Sequence, residues 1–322
     1  MSPDRVILDV DAGVDDALGI ILALISPELT IEAITAVNGN VSVDMSIKNV
    51  LRVLSLFPNS KSVNLYRGEA SPLVKEPFNA SNVHGNDGLG DLGDDYYPSL
   101  NWNLVSNKPA PAFMAELIDN HPGEITIIAT GPMTNVARAL EKFPNAISKV
   151  KEIVIMGGAI RVPGNIPPLK VSEFNVFADP DAFKLVIESD LPIKIIPLDI
   201  TQKVGLTRKR AHEAFGKLDS RIARFILECS KKYMDFHKER NGFDGAYFHD
   251  ALAVGSVIDP GLISIETVAL YVETCEGPKQ GMTTPFDTKK GSETQFCCSA
   301  GHKVDAEGFL SMFLGRVQRL SL

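Results

Sequence analysis

The sequence predicts an α/β fold: an open, mostly parallel sheet with helices on both faces. Two observations carry that prediction. Short, continuous runs of apolar and β-branched residues recur along the chain, and stretches of helical pattern separate them. Strands covered on both faces need such unbroken runs, whereas a sheet with one wet face alternates. A third observation locates the chemistry. Polar and glycine residues collect just after the runs, and in such sheets the ligand crevice lies beyond the carboxyl ends of the strands.

The elements follow in chain order. Val6–Val10 reads as a strand and Asp15–Ile25 as the helix behind it; Ile31–Val37 and Ser42–Leu56 repeat the pair. Pro111–Asp119 is a helix, Ile125–Ala129 a strand, Thr134–Lys142 a helix and Ile153–Met156 a strand. Pro180–Glu188 and Ile193–Pro197 end the alternating part. Past residue 205 the pattern turns mostly helical, with a long helix at Ser220–Lys238. Strand-like runs return at Thr267–Val272 and Thr294–Cys298, and a helix at Ala306–Arg319 follows.

The chain has 322 residues, 44% of them hydrophobic, and no internal repeat, low-complexity stretch or linker, so a single domain over residues 1–322 is expected. Asn79–Tyr97 carries four glycines and is long for a loop of a compact domain; such loops are often functional or disordered. It lacks the regular oxygen-ligand spacing of an EF-hand.

Composition bears on location and partners. The absence of a basic-then-apolar leader, and of any apolar run of about 18 residues, argues against a signal peptide or a membrane span. The four cysteines (Cys229, Cys275, Cys297, Cys298) show no CxxC spacing, and adjacent cysteines are poorly placed to bridge. A reduced, cytoplasmic chain is expected. Net charge is −8 and no Lys/Arg block stands out, which argues against a nucleic-acid partner.

The segment VILDVDAGVDDAL, Val6–Leu18, poses the main question. Asp9, Asp11, Asp15 and Asp16 crowd the place where a core strand ends. Aspartate favours neither strand nor helix interiors. Gly13 allows a tight turn. Asp15 and Asp16 open a helix, where carboxylates suit the positive dipole. Capping and a solvated loop account for one or two of these groups. Three carboxylates at an expected crevice fit a hard-cation site as well.

Other strand ends are polar too. They are Asn38-Gly39-Asn40, then Thr130 to Asn135, then Gly157-Gly158 with Asn165, Glu173 and Asn175 beyond. Turn chemistry alone accounts for most of them. It accounts less well for Ser172-Glu173-Phe174-Asn175, where an acid and an amide flank an aromatic ring. His249-Asp250 stands just before the apolar run Ala251–Ile258. A lone histidine there is more often structural, and an aspartate more often a helix cap.

In this order the motifs resemble one family along nearly the whole chain. Asp9–Ala17 looks like the aspartate signature DTDPGxDDA of the inosine-uridine-preferring nucleoside hydrolases, with Val10 and Ala12 where Thr (or Cys) and Pro are usual. Asn40, ATGPMTN (Ala129–Asn135), IMGG (Ile155–Gly158), SEFN (Ser172–Asn175) and HD (His249–Asp250) recur in family order. The stretch between Asn165 and Glu173 looks slightly longer than in familiar members.

The resemblance implies a Rossmann-like nucleoside hydrolase fold and calcium-dependent hydrolysis of the N-glycosidic bond of ribonucleosides. It places Asp11, Asp16, Asp250 and the Thr130 carbonyl on Ca²⁺. It places Asp15, Asn40, Glu173 and Asn175 on the ribose hydroxyls, Asn165 near the 5′ hydroxyl, and Met156 against the sugar. Asp11 and His249 are implied as catalytic, at the attacking water and at the leaving base. His84, Tyr233 and His237 are implied for the base pocket; the last two lie four apart and share a helical face. A homodimer or homotetramer is also implied, while base preference stays open. Two rivals remain. A haloacid-dehalogenase-type phosphohydrolase also has two aspartates two apart after a strand, as Asp9 and Asp11 are, but it leaves Asp15 and SEFN unexplained. A catalytically silent nucleoside-binding member would need no complete carboxylate set.

Overall fold

The computed structural model describes residues 2–57, 63–286 and 297–320. Its strands are β1 (Asp4–Val10), β2 (Leu29–Ala36), β3 (Asn64–Arg67), β4 (Val105–Ser106), β5 (Ile125–Ala129), β6 (Glu152–Met156), β7 (Ile193–Ile196), β8 (Gly205–Thr207), β9 (Gly245–Tyr247), β10 (Ile263–Val272), β11 (Thr283–Phe286) and β12 (Cys297–Val304). A 10-stranded sheet runs in the order β11-β10-β12-β7-β6-β5-β1-β2-β3-β4. From β12 to β4 neighbouring strands are parallel, and β10 and β11 add an antiparallel edge. The mostly parallel α/β prediction therefore holds.

The central parallel strands β1, β5 and β6 are largely apolar because both their faces are covered. Along β1, Val6, Leu8 and Val10 enter one core while Ile7 enters the other. The first core lies under the helices Val14–Leu24, Arg221–Asn241, His249–Ile258 and Ala306–Arg319. The second lies under Ala110–Asn120, Thr134–Lys142 and Pro180–Ile187. Among the described residues no helix is long and apolar enough to cross a membrane.

The sheet order reverses at β1. The chain steps outward from β1 to β4, then crosses back to place β5 on the other side of β1. Register brings Asp9 opposite Ala129 on β5, and Val10 opposite Ala36 on β2. The carboxyl ends of three adjacent strands are thus level at the switch point, the place where such sheets open a crevice.

Some expectations need correction. The mostly helical region past residue 205 also holds a small antiparallel ribbon, β8 with β9, that the sequence did not show. Three-residue strands are too short to show a period. The run expected at Thr267–Val272 starts earlier, at Ile263, because exposed Ser264 and Ile265 and half-buried Glu266 also pair with β12. Of the run Thr294–Cys298, residues 294–296 lie outside the described residues; its last part opens β12. The long helix ends at Asn241 rather than Lys238, where Gly242 (φ 71°) takes the left-handed cap.

Candidate active site

The turn after β1 presents three carboxylates. Gly13 N–H donates to Asp16 Oδ2 at 2.8 Å, which ties the turn to the first helical turn. Asn40, just past β2, grips Asp11 twice: its backbone N–H donates to Oδ2 at 2.6 Å and its Nδ2 to Oδ1 at 3.0 Å. The same Nδ2 reaches Asp16 Oδ2 at 3.2 Å. Thr130, just past β5, donates its hydroxyl to Asp16 Oδ1 at 2.7 Å. Asp250 comes from the first turn of His249–Ile258, which packs against Val14–Leu24 where Gly19 allows close approach.

Oxygens of Asp15, Asp16 and Asp250 lie within 4.8 Å of one another. Asp11 sits beneath them, fully buried and held by Asn40. Among the described residues no lysine or arginine pairs with any of the four; only His84 Nδ1 comes within 3.8 Å of Asp15 Oδ1. Burial, then the neighbouring Asp16, raises the Asp15 carboxyl to about 8. Burial and the other aspartates also hold the Asp11 and Asp250 carboxyls well above the ordinary range. Burying an unpaired carboxylate costs several kcal/mol, so the cluster needs protons or a cation. Asp15 Oδ1 has no hydrogen-bond partner at all. Clustered oxygen donors with an unsatisfied atom fit a hard metal ion.

Above the cluster opens a cleft of about 370 Å³, a size suited to a small ligand. Asp15, Asn40, Thr130, Met156, Glu173, Asn175 and Asp250 line its floor. Asn175 Nδ2 donates to the carbonyls of Thr130 (2.7 Å) and Met156 (3.0 Å), joining the ends of β5 and β6. Glu173 caps the helix Phe174–Ala178 and also accepts from Gly158 N–H at 3.1 Å. Asn165 stands exposed at the rim. On the far wall the rings follow one another. His84 stacks on Tyr233 (5.3 Å, 18°), Tyr233 meets His237 edge-on (4.5 Å), and Tyr247 follows (4.8 Å) and tilts toward His249 (5.7 Å). His249 Nδ1 lies 2.7 Å from the Thr201 hydroxyl. Burial pushes His84 and His249 down to about 3 and His237 to about 4, so all three rings are neutral near pH 7.

Comparison with known proteins gives this geometry a lineage. The sequence model of the inosine-uridine preferring nucleoside hydrolases matches residues 6–311. The chain belongs to that family. It is 34% identical over 316 residues to the pyrimidine-specific ribonucleoside hydrolase RihA of Salmonella newport (strain SL254), covering 97% of this chain and 98% of that one. A solved plant nucleoside hydrolase, PpNRh1, superposes with a TM-score of 0.90 at 32% identity, covering 98% of this chain and 99% of that one. A purine-preferring ribonucleoside hydrolase from Gardnerella vaginalis gives 0.89 at 30% identity, with 99% of each chain covered. This nucleoside hydrolase is thus an enzyme that cleaves the N-glycosyl bond of ribonucleosides, a small-molecule substrate.

The structure also reassigns residues that the sequence left ambiguous. Asp9, the nucleophile a phosphohydrolase would need, is fully buried and absent from the cleft lining. Its Oδ1 accepts from Thr35 (2.6 Å) and from Asn135 (2.8 Å). Burial raises the Asp9 carboxyl to about 7. Asn135 therefore braces the nucleoside hydrolase site from below rather than merely making a turn. Gln202, Tyr247 and Arg240 line the cleft and were missed. Arg240 lies three residues after His237 on one helical face, and Gln202 follows the end of β7, so spacing and the strand-end rule could have found both.

Proposed function

We propose that this nucleoside hydrolase works with Ca²⁺, that Asp11 takes the proton of the attacking water, and that His249 assists the leaving base through a hydrogen bond from Nε2. The carboxylate cluster, without a lysine or arginine partner among the described residues and at the floor of a cleft on the switch point, supports this reading most. Asp11, Asp16, Asp250 and the Thr130 carbonyl would hold the cation. When bound, the cation supplies positive charge that orients the ribose diol and acidifies a water. Asp11, its carboxylate aimed by Asn40, accepts the proton of the attacking water. Asp15, Asn40, Glu173 and Asn175 hold the ribose hydroxyls, Asn165 stands near the 5′ hydroxyl, and Met156 packs on the sugar. The nearby negative charge stabilises an oxocarbenium-like transition state. His84, Tyr233 and His237 face the base. The Thr201 hydroxyl occupies His249 Nδ1 and leaves Nε2 for the departing base. The same reading has the chain acting in the cytoplasm as a homodimer or homotetramer.

A nucleoside panel tests the reading. Inosine, adenosine, guanosine, uridine and cytidine are compared by kcat/KM, since the relatives' names point to different bases. Exhaustive chelation should abolish base release and Ca²⁺ should restore it; unchanged activity after chelation would overturn the metal assignment. Loss of one ribose hydroxyl leaves buried polar groups unpaired, so 2′-deoxyuridine should be poorer than uridine by ~10²-fold or more. Comparable values would overturn the sugar site. Tight nucleoside binding without base release would identify a silent member instead.

A further inference from the structure

The loop between Asn79 and Tyr97 brings His84 to the cleft with little regular structure of its own, only Ser81–His84 and Asp94–Tyr96 being helical. Surface lysines pair with it at Asp94 (Lys48) and Asp91 (Lys232), and from behind a buried arginine gathers several of its residues. Arg52, on the helix Val43–Ser55, is 3% exposed. Its Nη2 lies 2.5 Å from Asp94 Oδ1 and its Nη1 3.3 Å from Asp87 Oδ2, while its guanidinium sits 5.0 Å from the Tyr97 ring centre. Three residues spread from the middle of the loop to its end thus converge on one cation. A planar guanidinium can bond two carboxylates and stack on a ring at once, which an ammonium cannot.

Arg52 also reaches the carboxylate turn through Asn49. Arg52 Nη1 donates to Asn49 Oδ1 at 2.9 Å. Asn49 Nδ2 then donates to Ala12 O at 2.9 Å and to Asp87 O at 2.7 Å. From Asp87 the bonds continue inward. Its Oδ1 accepts from Leu89 and Asp91 N–H, and between them Gly90 N–H donates to His84 O at 2.8 Å. Finally Val14 N–H, in the carboxylate turn, donates to His84 Nδ1 at 3.2 Å. A backbone N–H can only donate, so Nδ1 must present its lone pair and a neutral ring carries its proton on Nε2.

We propose that Arg52 is a positioning residue: it locks the Asp87–Tyr97 loop to the Ala12 turn and so delivers His84 to the cleft in one place and as one tautomer, with Nε2–H the donor. This rests on reading the cleft as the nucleoside site. His84 then offers a donor, never an acceptor, to the ligand. Arg52 touches nothing in the cleft, and its effect on turnover passes through the loop.

The test uses the full chain with Ca²⁺ present and the best nucleoside of the panel. Arg52→Met should lower kcat/KM by ~10-fold or more; in a His84→Ala background the same change should alter it by less than ~2-fold, because the two residues act in series. Arg52→Lys, which keeps the charge without the fork, should fall between. Amide exchange of residues 85–97 should quicken in Arg52→Met while β1, β5 and β6 stay protected. Equal losses in both backgrounds, or unchanged exchange in the loop, would overturn the proposal. Where Arg52→Met does not fold, Asp94→Asn removes the exposed end of the clamp and should show the same pattern more weakly; no change in exchange there overturns it equally. A wild-type chain that releases no base from any nucleoside would refute the nucleoside-site reading, while the exchange arm still decides the clamp.

Discussion

Gly39 is a glycine because of one carboxylate oxygen. A Cβ at that position would lie 2.0 Å from Asp11 Oδ2, the atom that Asn40 N–H holds. Gly39→Ala should therefore push Asp11 out of place and lower kcat/KM by ~10²-fold or more, with a native circular dichroism spectrum; near-normal turnover would show that Asp11 tolerates displacement. Ala12 stands where the family motif usually has proline, and its φ of 35° is one proline, fixed near −65°, cannot take. The Asn49 amide on its carbonyl holds that turn. At His249 the assignments separate cleanly. His249→Ala should slow the best natural nucleoside by ~10²–10⁴-fold, yet spare p-nitrophenyl riboside, whose leaving group needs no proton. Asp11→Ala should damage both substrates. Equal losses on both for His249→Ala, with fold and metal retained, would return that histidine to a structural role.

At the scale of elements, the helix Arg221–Asn241 links stability to the aromatic wall of the cleft. Its buried stripe includes Phe225, Ile226, Cys229, Tyr233 and His237, so the residues that seat it in the core continue into those facing the cleft. Ser220 caps it, Oγ accepting from Ala223 N–H at 3.3 Å. Ser220→Ala should lower unfolding free energy by about 1 kcal/mol, read by denaturant titration, with kcat/KM nearly unchanged. A large loss of turnover would mean that fraying of this end reaches Tyr233. The helix, and the face shared by Tyr233 and His237, were legible in the sequence because a helical pattern repeats over many residues. The ribbon of β8 and β9, which orients Tyr247 beside His237, was not, because each strand has too few residues for a pattern to emerge.

At the scale of the molecule, the switch point gathers carboxyls whose charged form burial disfavours. The ordinary value of the Asp15 carboxyl is 3.8, and burial followed by Asp16 raises it to about 8. Between those values the unfolded chain has lost a proton that the folded chain keeps. In metal-free protein this contribution to stability is full below the lower value and is lost as pH rises through the upper one. Thermal melting of chelated protein should thus weaken from about pH 5 to pH 8, and Ca²⁺ should raise Tm most at the upper end, where binding requires no proton release. A metal-free Tm that climbs over this range would show that the carboxylates are compensated in another way.

The sequence by itself determined the sheet-and-helix alternation and the family, since buried strands must be apolar and the polar residues at their ends then stand out. It also marked nearly every residue of the cleft floor, from Asp15 to Asp250, and Asp11 beneath it. Tertiary structure alone decided how those residues divide. Asp9 and Asp11 are two apart and alike in sequence, yet the pairing of β1 with β2 and β5 sends Asp9 to Thr35 and Asn135 in the core, and Asp11 to Asn40 below the cleft. Only the same packing could show that Arg52, separated from His84 by 32 positions, stands behind its loop. Sequence spacing records neighbours along one helix or strand; it carries no record of which side chains a buried guanidinium or an amide will join once distant strand ends come level.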